Sequence, residues 1–429
     1  MPPSCVARDR PPAPQPEPPI VQPTCLLILT VGTGTAGKHS DVAAGLARTI
    51  DLTAPRLFWL VPSASEKSGP VADLIRESVA NPAAFRPWSA AAPYRLISDP
   101  DDIHECRLVL RQVIAEAKNQ LQPGEKLVVN PTSGTKQMSA GATLAALDEE
   151  LGELMFTTGE RVDGVVKTGT EQAKTFSTAA FFLERDLRLA QGLFGHGAFY
   201  AAARLLRRHA APVAVRARET ALCLHEWQRL NYTKAAAHAA KFSEDLRLHL
   251  ARLARAGAFS VSVLGDLLAG ADELLRWGDR EEALARYYRG AEQTAKVRLA
   301  EDHSLRPPYR LAEVLRLLPP GCRLAAELSA HARQGEILLS AQRAWDLLDS
   351  IADPMAGAYF ADDRLLEGLR RRNESMYGHG AEPVDPASVQ SVADRLRNLL
   401  RAYLPAAEAC WTTTRRPRSL LQANDREED

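Results

Sequence analysis

Near its C-terminus the sequence runs Arg370-Arg371-Arg372-Asn373-Glu374-Ser375-Met376-Tyr377-Gly378-His379-Gly380. Just upstream, residues 359–369 carry Phe360, Leu365, Leu366 and Leu369 at helical spacing. If that helix continues, residues seven apart are rotated by about 700°, some 20° short of two turns, so Arg372 and His379 share a face. A phosphodiester gripped there meets two complementary groups. An imidazole exchanges protons with a ribose 2′-hydroxyl or a 5′-leaving oxygen, and a guanidinium holds the charge growing on the phosphorane. RNA carries its own nucleophile, so this chemistry needs neither a metal nor a covalent residue, and its products are a 2′,3′-cyclic phosphate and a 5′-hydroxyl end. The plainer alternative is a helix end where three arginines and a histidine complement the macrodipole, with Gly378 and Gly380 as C-cap residues.

Two glycine loops offer a second chemistry, the holding of an anion. Gly32-Thr33-Gly34-Thr35-Ala36-Gly37-Lys38-His39-Ser40 follows an apolar run and precedes a helical stretch. As GxGxxG it fits a dinucleotide fingerprint, whose glycines admit a pyrophosphate to a helix N-terminus. That reading wants an acid at the end of the second strand, where the sequence is Leu60-Val61-Pro62-Ser63. As GxxxxGK it approaches a triphosphate-binding loop, but His39 stands where a Ser or Thr would bind Mg²⁺, and the strand candidate at 127–129 ends in Asn130. What remains is a nest of backbone N–H groups awaiting an anion, or a Gly-rich turn with a purely structural role. The second loop, Asn130-Pro131-Thr132-Ser133-Gly134-Thr135-Lys136-Gln137-Met138, also joins a strand to a helix. Lys136 there would neutralise a phosphate while Ser133 and Thr135 donate hydrogen bonds. A Lys in a first helical turn is otherwise disfavoured by the macrodipole. Loops at the carboxyl ends of adjacent parallel strands face one crevice, so both are expected to line one site.

At residues 130–138 the sequence resembles Asn-x-Thr-Gly-Gly-Thr-Lys-x-Met, the signature of CARF domains, with Ser133 in place of the first Gly. These are Rossmann-like sensors of cyclic oligoadenylate in type III CRISPR systems. Arg161 and the stretch 163–168 (DGVVKT) resemble the end of such a domain, and the likeness runs over about residues 24–175. It implies a ring-shaped activator, cyclic tetra- or hexa-adenylate, held across a homodimer. The residues assigned to it are Gly32, Thr33, Gly34, Asn130, Thr132, Ser133, Gly134, Thr135, Lys136 and Met138. Residues 372–380, Arg-Asn-x-Ser-x-x-x-His-Gly, are similar to the R-x(4–6)-H motif of HEPN ribonucleases in the form carried by CARF–HEPN proteins, over about residues 300–405. This implies that Arg372 and His379 are the catalytic pair, that Asn373 assists positioning, and that two such motifs meet about a twofold axis. Together the resemblances imply a cyclic-oligoadenylate-activated, metal-independent endoribonuclease of CRISPR antiviral defence, acting on single-stranded RNA and needing no cofactor besides its allosteric activator. The alternatives are a non-catalytic sensor whose helical half binds a partner, and a nicotinamide-dependent enzyme built on the first loop.

The elements that must carry these residues follow two patterns. Cys25–Val31 (CLLILTV), 56–61 (RLFWLV) and Lys126–Asn130 (KLVVN) are short, largely apolar runs, as buried parallel strands should be. Helical stretches at 41–50, 66–79, 101–120 and 136–149 alternate with them, which implies a doubly wound sheet. Residues 155–158 and 164–167 read as a final pair of strands, with 161–164 as turn residues. After Thr178 the strand signal stops, and Ala, Leu, Arg and Glu at helical spacing run to about Leu404. The glycines at Gly197 and Gly278 each precede a helix, as in αα-hairpins, while the prolines at 307–308, 319–320 and 383–386 punctuate later helices. The fold class is therefore an α/β Rossmann-like (CARF) N-terminal domain followed by an all-α helical region ending in a HEPN domain.

Composition bounds the rest. A chain of 429 residues with 45% apolar and 25% charged side chains suits two or three globular domains. Lys plus Arg and Asp plus Glu each number 53, so no net charge holds a polyanion and a local patch must. No apolar run is long enough to span a membrane. The first 23 residues hold nine prolines and no apolar signal core, so they read as a disordered tail and the compartment as the cytoplasm. The cysteines Cys5, Cys25, Cys106, Cys223, Cys322 and Cys410 lack metal or disulfide spacing, so no metal site is expected. The expected divisions are a tail at 1–23, a CARF-like sensor at 24–175, connecting helices at 176–300, a HEPN-like domain at 301–410 and a frayed tail at 411–429.

Overall fold

The computed structural model describes residues 25–34, 39–162, 165–167 and 169–420. It divides into two units, Met1–Phe182 and Leu183–Asp429.

In the first unit the strands β1 (Cys25–Val31), β2 (Leu57–Pro62), β3 (Lys126–Asn130) and β4 (Glu153–Thr158) alternate with the helices α1 (His39–Thr53), α2 (Ser68–Ser78), α3 (Ile103–Lys118) and α4 (Lys136–Asp148). The sheet runs β2-β1-β3-β4, all parallel, in register Leu29↔Leu60 and Leu29↔Asn130 around β1. Strand β1 is buried on both faces. Leu27, Leu29 and Val31 pack with Ala43, Leu46 and Ile50 of α1, while Leu26 and Ile28 pack with Leu110 and Ile114 of α3 and Ala142 of α4. Both sides of the sheet are thus covered by apolar helix faces, which is why its strands read as continuous apolar runs. Side chains fix the helix starts: Asp102 accepts from the His104 N–H at 2.8 Å to open α3, and Thr135 accepts from the Met138 N–H at 3.1 Å to open α4. Such a cap stabilises a helix by about 1 kcal/mol.

The end of this unit differs from the expected hairpin. The residues Arg161–Val162 (β5) and Val165–Val166 (β6) form a separate two-residue ribbon, and β4 pairs instead with β7 (Gln172–Ser177), antiparallel, at the sheet edge. An edge strand with one face in solvent needs no apolar run, and Gln-Ala-Lys-Thr-Phe-Ser shows none.

The second unit is helical, and α5 (Ala179–Gly195) leads into it from the first. The helices α6 (Phe199–Leu206), α7 (Pro212–Gln228), α8 (Tyr232–Ala239) and α9 (Glu244–Arg255) surround a core containing Phe194, Phe199, Trp227 and Leu250. There follow α10 (Val261–Trp277), α11 (Arg280–Asp302), α12 (Leu311–Leu317), α13 (Arg323–His331) and α14 (Ala341–Ser350). The chain closes with α15 (Pro354–Ala361), α16 (Asp363–Glu374), α17 (Pro386–Tyr403) and α18 (Pro405–Thr413). A second core runs from Leu264 to Trp411, and α11 passes through Ala300 within it. Gly278 ends α10 in the left-handed region at φ 88°, as its hairpin position requires. The region is not wholly helical, since Tyr309–Arg310 (β8) and Glu336–Ile337 (β9) pair as a short antiparallel ribbon.

The chain beyond Thr412 is packed rather than frayed as far as Leu420. Arg416 is buried, donating to Glu273 at 3.1 Å, and the Leu420 N–H donates to Gln191 at 2.9 Å.

Three of the buried carboxylates in this unit each gather a histidine and a cation. Asp186 meets Arg208 and His209, Glu219 meets His238 and Lys241, and Asp353 meets Arg298 and His303. At each, burial raises the carboxyl pKa, but the hydrogen bonds and cations outweigh it and the net shift is downward. A depressed folded-state pKa stabilises above the ordinary carboxyl values of 3.8 and 4.5, and that contribution is lost as pH falls through the folded values. Melting temperature is therefore expected to fall steeply on acidification below about pH 4, and less steeply in Asp353→Asn. Parallel profiles for the two proteins would show that Asp353 takes no part.

Candidate functional site

In the order β2-β1-β3-β4 the chain leaves β1 toward one edge and returns past it to β3, so the topological switch lies between β1 and β3. A doubly wound sheet opens its crevice there, at the carboxyl ends of the strands. The two glycine loops begin at these two ends. They are laced together: the Gly32 N–H donates to Ser133 Oγ at 3.1 Å, and the Thr30 hydroxyl donates to the Ser133 carbonyl at 2.5 Å. Gly32 lies so close to Gly134 that a Cβ on it would stand 2.5 Å from the Gly134 nitrogen. Gly134 itself has φ 110°, with the Met138 sulfur directly beneath.

The polar residues of the second loop divide by role. Asn130 is buried, accepting from the Thr132 N–H at 3.0 Å and donating to Thr157 Oγ1 at 3.0 Å. The Thr132 hydroxyl accepts from the Thr157 N–H at 2.8 Å. The Thr135 hydroxyl caps α4 and donates to the Pro100 carbonyl, so its proton is not free for a phosphate as the sequence suggested. Asn130, Thr135 and Met138 are therefore the frame of the loop.

A cleft of about 170 Å³ is lined by Gly34, Thr132, Ser133 and Gly134 from the two loops. Gly32 packs behind them. The Thr33 carbonyl lies 2.5 Å from His39 Nδ1, and Lys136 is exposed on the first turn of α4. Gly37 and Lys38, and Asp163, Gly164 and Thr168 of the second stretch, lie outside the described residues. The remaining walls are Asp41, Val42, Gly45 and Leu46 of α1, with Thr157, Val166 and Glu171. Apart from Val166, which lies in the 163–168 stretch, the motifs do not point to these. Asp41 follows the first loop by one turn of α1, but Glu171 precedes an edge strand that carries no apolar signal. Gly32→Ala is expected to force the loops apart, costing about 1–3 kcal/mol as overpacking does, read as a lower melting temperature. Unchanged melting would mean that the loops adjust freely.

The stretch from Arg372 to His379 is built differently from the expected continuous helix. Asp362 separates α15 from α16, and α16 ends at Glu374, with Ser375 extended at φ −84°, ψ 171°. The Ser375 hydroxyl donates to the Arg372 carbonyl at 2.8 Å, and the Ser375 N–H reaches the Arg371 and Arg372 carbonyls at 3.1 and 3.3 Å, so one residue closes the helix end. The chain then folds back over the helix end. The Gly378 N–H donates to the Ser375 carbonyl, the His379 N–H to the Asn373 carbonyl, both at 2.8 Å, and the Glu382 N–H to the Glu374 carbonyl at 3.0 Å. A Cβ on Gly378 would collide with the Arg372 carbonyl, and one on Gly380 with the Glu374 carbonyl. Neither glycine has a positive φ, so they serve close approach and not the capping role considered from the sequence.

Of the three arginines only Arg372 turns inward. Its guanidinium lies 5.1 Å from the centre of the Tyr288 ring on α11, and Nη1 donates to Asn373 Oδ1 at 3.3 Å. Its Nε is buried without a partner, and no carboxylate pairs with it among the described residues. Arg371 instead donates to Ser388 at 2.6 Å, and Arg370 lies beside Glu367. A cation held on an aromatic face and unpaired by acid keeps N–H donors for an incoming anion. Asn373 is exposed beside it, and His379 is exposed on the turn whose backbone N–H meets the Asn373 carbonyl. Among the described residues no cluster of three or more His, Cys, Asp or Glu side chains could hold a metal ion, and no helix is long and apolar enough to cross a membrane.

Residues 253–403 match the family model described as the Csm6 HEPN domain. The match begins before α10 and takes in both the Tyr288 shelf and the 372–380 turn. No curated protein matches the chain. Among solved structures, Csm6 of Enterococcus italicus bound to cyclic hexa-2′-fluoro-hexa-dAMP is similar over 94% of this chain and 96% of that one, at 14% identity and a TM-score of 0.61. That likeness speaks to the fold: a Rossmann-like sheet domain, then helices, with the HEPN-like region at the C-terminal end. The resemblance to CARF–HEPN proteins drawn from two short motifs is borne out at that level.

Proposed function

We propose that this chain is an endoribonuclease of CRISPR defence, activated when a cyclic oligoadenylate occupies the cleft between the two glycine loops. The observation that supports the reading is an unpaired, shelved Arg372 at the end of α16, with the His379 backbone folded back onto the neighbouring Asn373 carbonyl, within a stretch similar to the Csm6 HEPN domain. In this reading His379 moves the proton of the 2′-hydroxyl or of the 5′-leaving oxygen, and Arg372 stabilises the phosphorane. Asn373, hydrogen-bonded to the guanidinium, sets its orientation. Two protomers bring their motifs together about a twofold axis, and single-stranded RNA is cut in the cytoplasm to 2′,3′-cyclic phosphate and 5′-hydroxyl ends without metal. Ring binding favours the active arrangement by a differential free energy, of about 1–3 kcal/mol in typical allostery.

The test is a titration. Full-length protein is incubated with fluorescent single-stranded RNA in EDTA, with and without cyclic tetra- and hexa-adenylate. One ring is expected to stimulate cleavage, and end-group analysis to find cyclic phosphates. Ring binding with no cleavage at any protein concentration would favour the non-catalytic sensor instead. Lys136→Ala is expected to raise the ring concentration needed for half-activation while leaving unstimulated cleavage intact, and equal loss of both would misplace the activator site.

A further inference from the structure

The ligand cleft contains a buried carboxylate that the loop motifs do not explain. Glu171 is 4% exposed. Its Oε2 accepts from the Gly169 N–H at 2.7 Å and lies 3.5 Å from Nε of the half-exposed Arg48. Its Oε1 is buried and has no hydrogen-bond partner among the described residues. Glu171 and Gly45 both line the cleft, and Oε1 lies behind the gap that α1 leaves by lacking a side chain there, 3.4 Å from where a Cβ on Gly45 would stand.

A buried acceptor left without a donor is costly, and a charged one more so. Beside loops suited to phosphate it also repels phosphate, so a ligand that sets its phosphates on the loops must present an N–H or O–H donor at this point. A ring of nucleotides has two such groups, the exocyclic amine of the base and the ribose 2′-hydroxyl. The cleft favours the base. Its volume of about 170 Å³ is below the range of sites that enclose a whole ligand, so it admits one flat fragment. Val42, Leu46 and Val166 supply apolar walls for the face of that fragment.

We propose that Glu171 Oε1 accepts the 6-amino group of one adenine of the activator, which makes Glu171 a specificity-determining residue for adenine. The inference rests on the proposed activator class. It gives the carboxylate its missing donor, and it places phosphates on the glycine loops and a base against α1. Guanine turns its O6 acceptor toward the same oxygen and is repelled.

Calorimetric titration of the full chain with cyclic hexa-adenylate, and with the same ring carrying unsubstituted purine in place of adenine, tests the contact. Cyclic tetra-adenylate and its purine analogue replace them if the smaller ring is the activator. The wild-type chain is expected to prefer the adenine ring by about tenfold or more, the worth of one hydrogen bond to a charged group. In Glu171→Leu the two rings should bind within about twofold of each other. Should that variant melt early, Gly45→Ser offers the same test with Glu171 kept, since its hydroxyl can donate to Oε1 and remove the preference. A ring with 2′-fluorine in place of the hydroxyls should bind the wild-type chain as the ribose ring does. If it instead loses the tenfold, and Glu171→Leu removes that loss, the contact is to ribose and the assignment is overturned. An adenine preference unchanged in a well-folded Glu171→Leu or Gly45→Ser also overturns it, while the function proposed above stands. If the wild-type chain binds no adenylate ring, both fall.

Discussion

His379→Ala should lower ring-stimulated RNA cleavage by about 10²–10⁴-fold, the usual worth of a general acid or base, with melting temperature and ring affinity unchanged. The separation is expected from the way the turn is built. His379 is anchored by its backbone N–H on the Asn373 carbonyl, and its imidazole is exposed, so truncating the ring removes a proton carrier and leaves the turn standing. Arg372→Ala should lose about 10²–10³-fold, comparable to removing one donor from an anion-stabilising site. Its effect on folding should be small, because no carboxylate depends on it. Arg372→Lys keeps the charge but not the planar fork that lies over Tyr288, and so should recover little. By contrast Gly380→Ala, which drives a methyl into the Glu374 carbonyl, should lose activity through displacement of the turn, with a matching fall in local hydrogen-exchange protection. A His379→Ala protein that cleaves at the wild-type rate would end the ribonuclease assignment at this motif.

The sequence is most legible where one residue type has one physical use. Strands β1 and β3 are buried on both faces, so their apolar runs and the polar loops after them were unmistakable, and the glycine pair at the switch point followed from those ends. Strand β7 is an exposed edge held by backbone pairing to β4, and pairing leaves no trace in side-chain pattern. The cleft residue Glu171, which precedes β7, was hidden with it. At the other site the residue types were right and the geometry was not. Helical periodicity extrapolated past Glu374 put Arg372 and His379 on one face, whereas a serine that takes the helix end and two glycines that permit close approach achieve the neighbourhood by a turn. The run Ser375 to Gly380 does contain that information, since glycines flanking a functional histidine often mark backbone contact. The tail after Thr412 misled for a related reason. Its arginines lie in a stretch expected to be frayed, but Arg416 is drawn inward by buried acids far away in the chain.

Those acids make the largest expected effect on stability. Asp266 on α10 is fully buried, accepting from Trp227 Nε1 and from the Tyr232 hydroxyl, each at 2.9 Å, with Arg416 Nη2 at 3.4 Å. Arg416 is itself almost wholly buried, lies 4.8 Å from the centre of the Trp227 ring, and donates to Glu273. Burial and the Asp266 charge both push the Tyr232 pKa up, so the phenol stays a donor to this carboxylate. Asp266→Ala leaves a buried guanidinium paired only with Glu273 and orphans two buried donors. Breaking a buried pair in this way typically costs about 3–5 kcal/mol. For a helical unit of this size that corresponds to roughly 6–20 °C in melting temperature. Truncation after Thr413 should reproduce part of the loss by removing Arg416. Because α10 belongs to the stretch that matches the Csm6 HEPN domain while Trp227 and Tyr232 lie on α7 and α8, the node joins that stretch to the helices before it. Asp266→Ala should therefore melt α7, α8 and α10 together in hydrogen exchange. A fall of less than about 1 kcal/mol, well under the range for a broken buried pair, or protection lost on α10 alone, would show that the node is not what binds these helices.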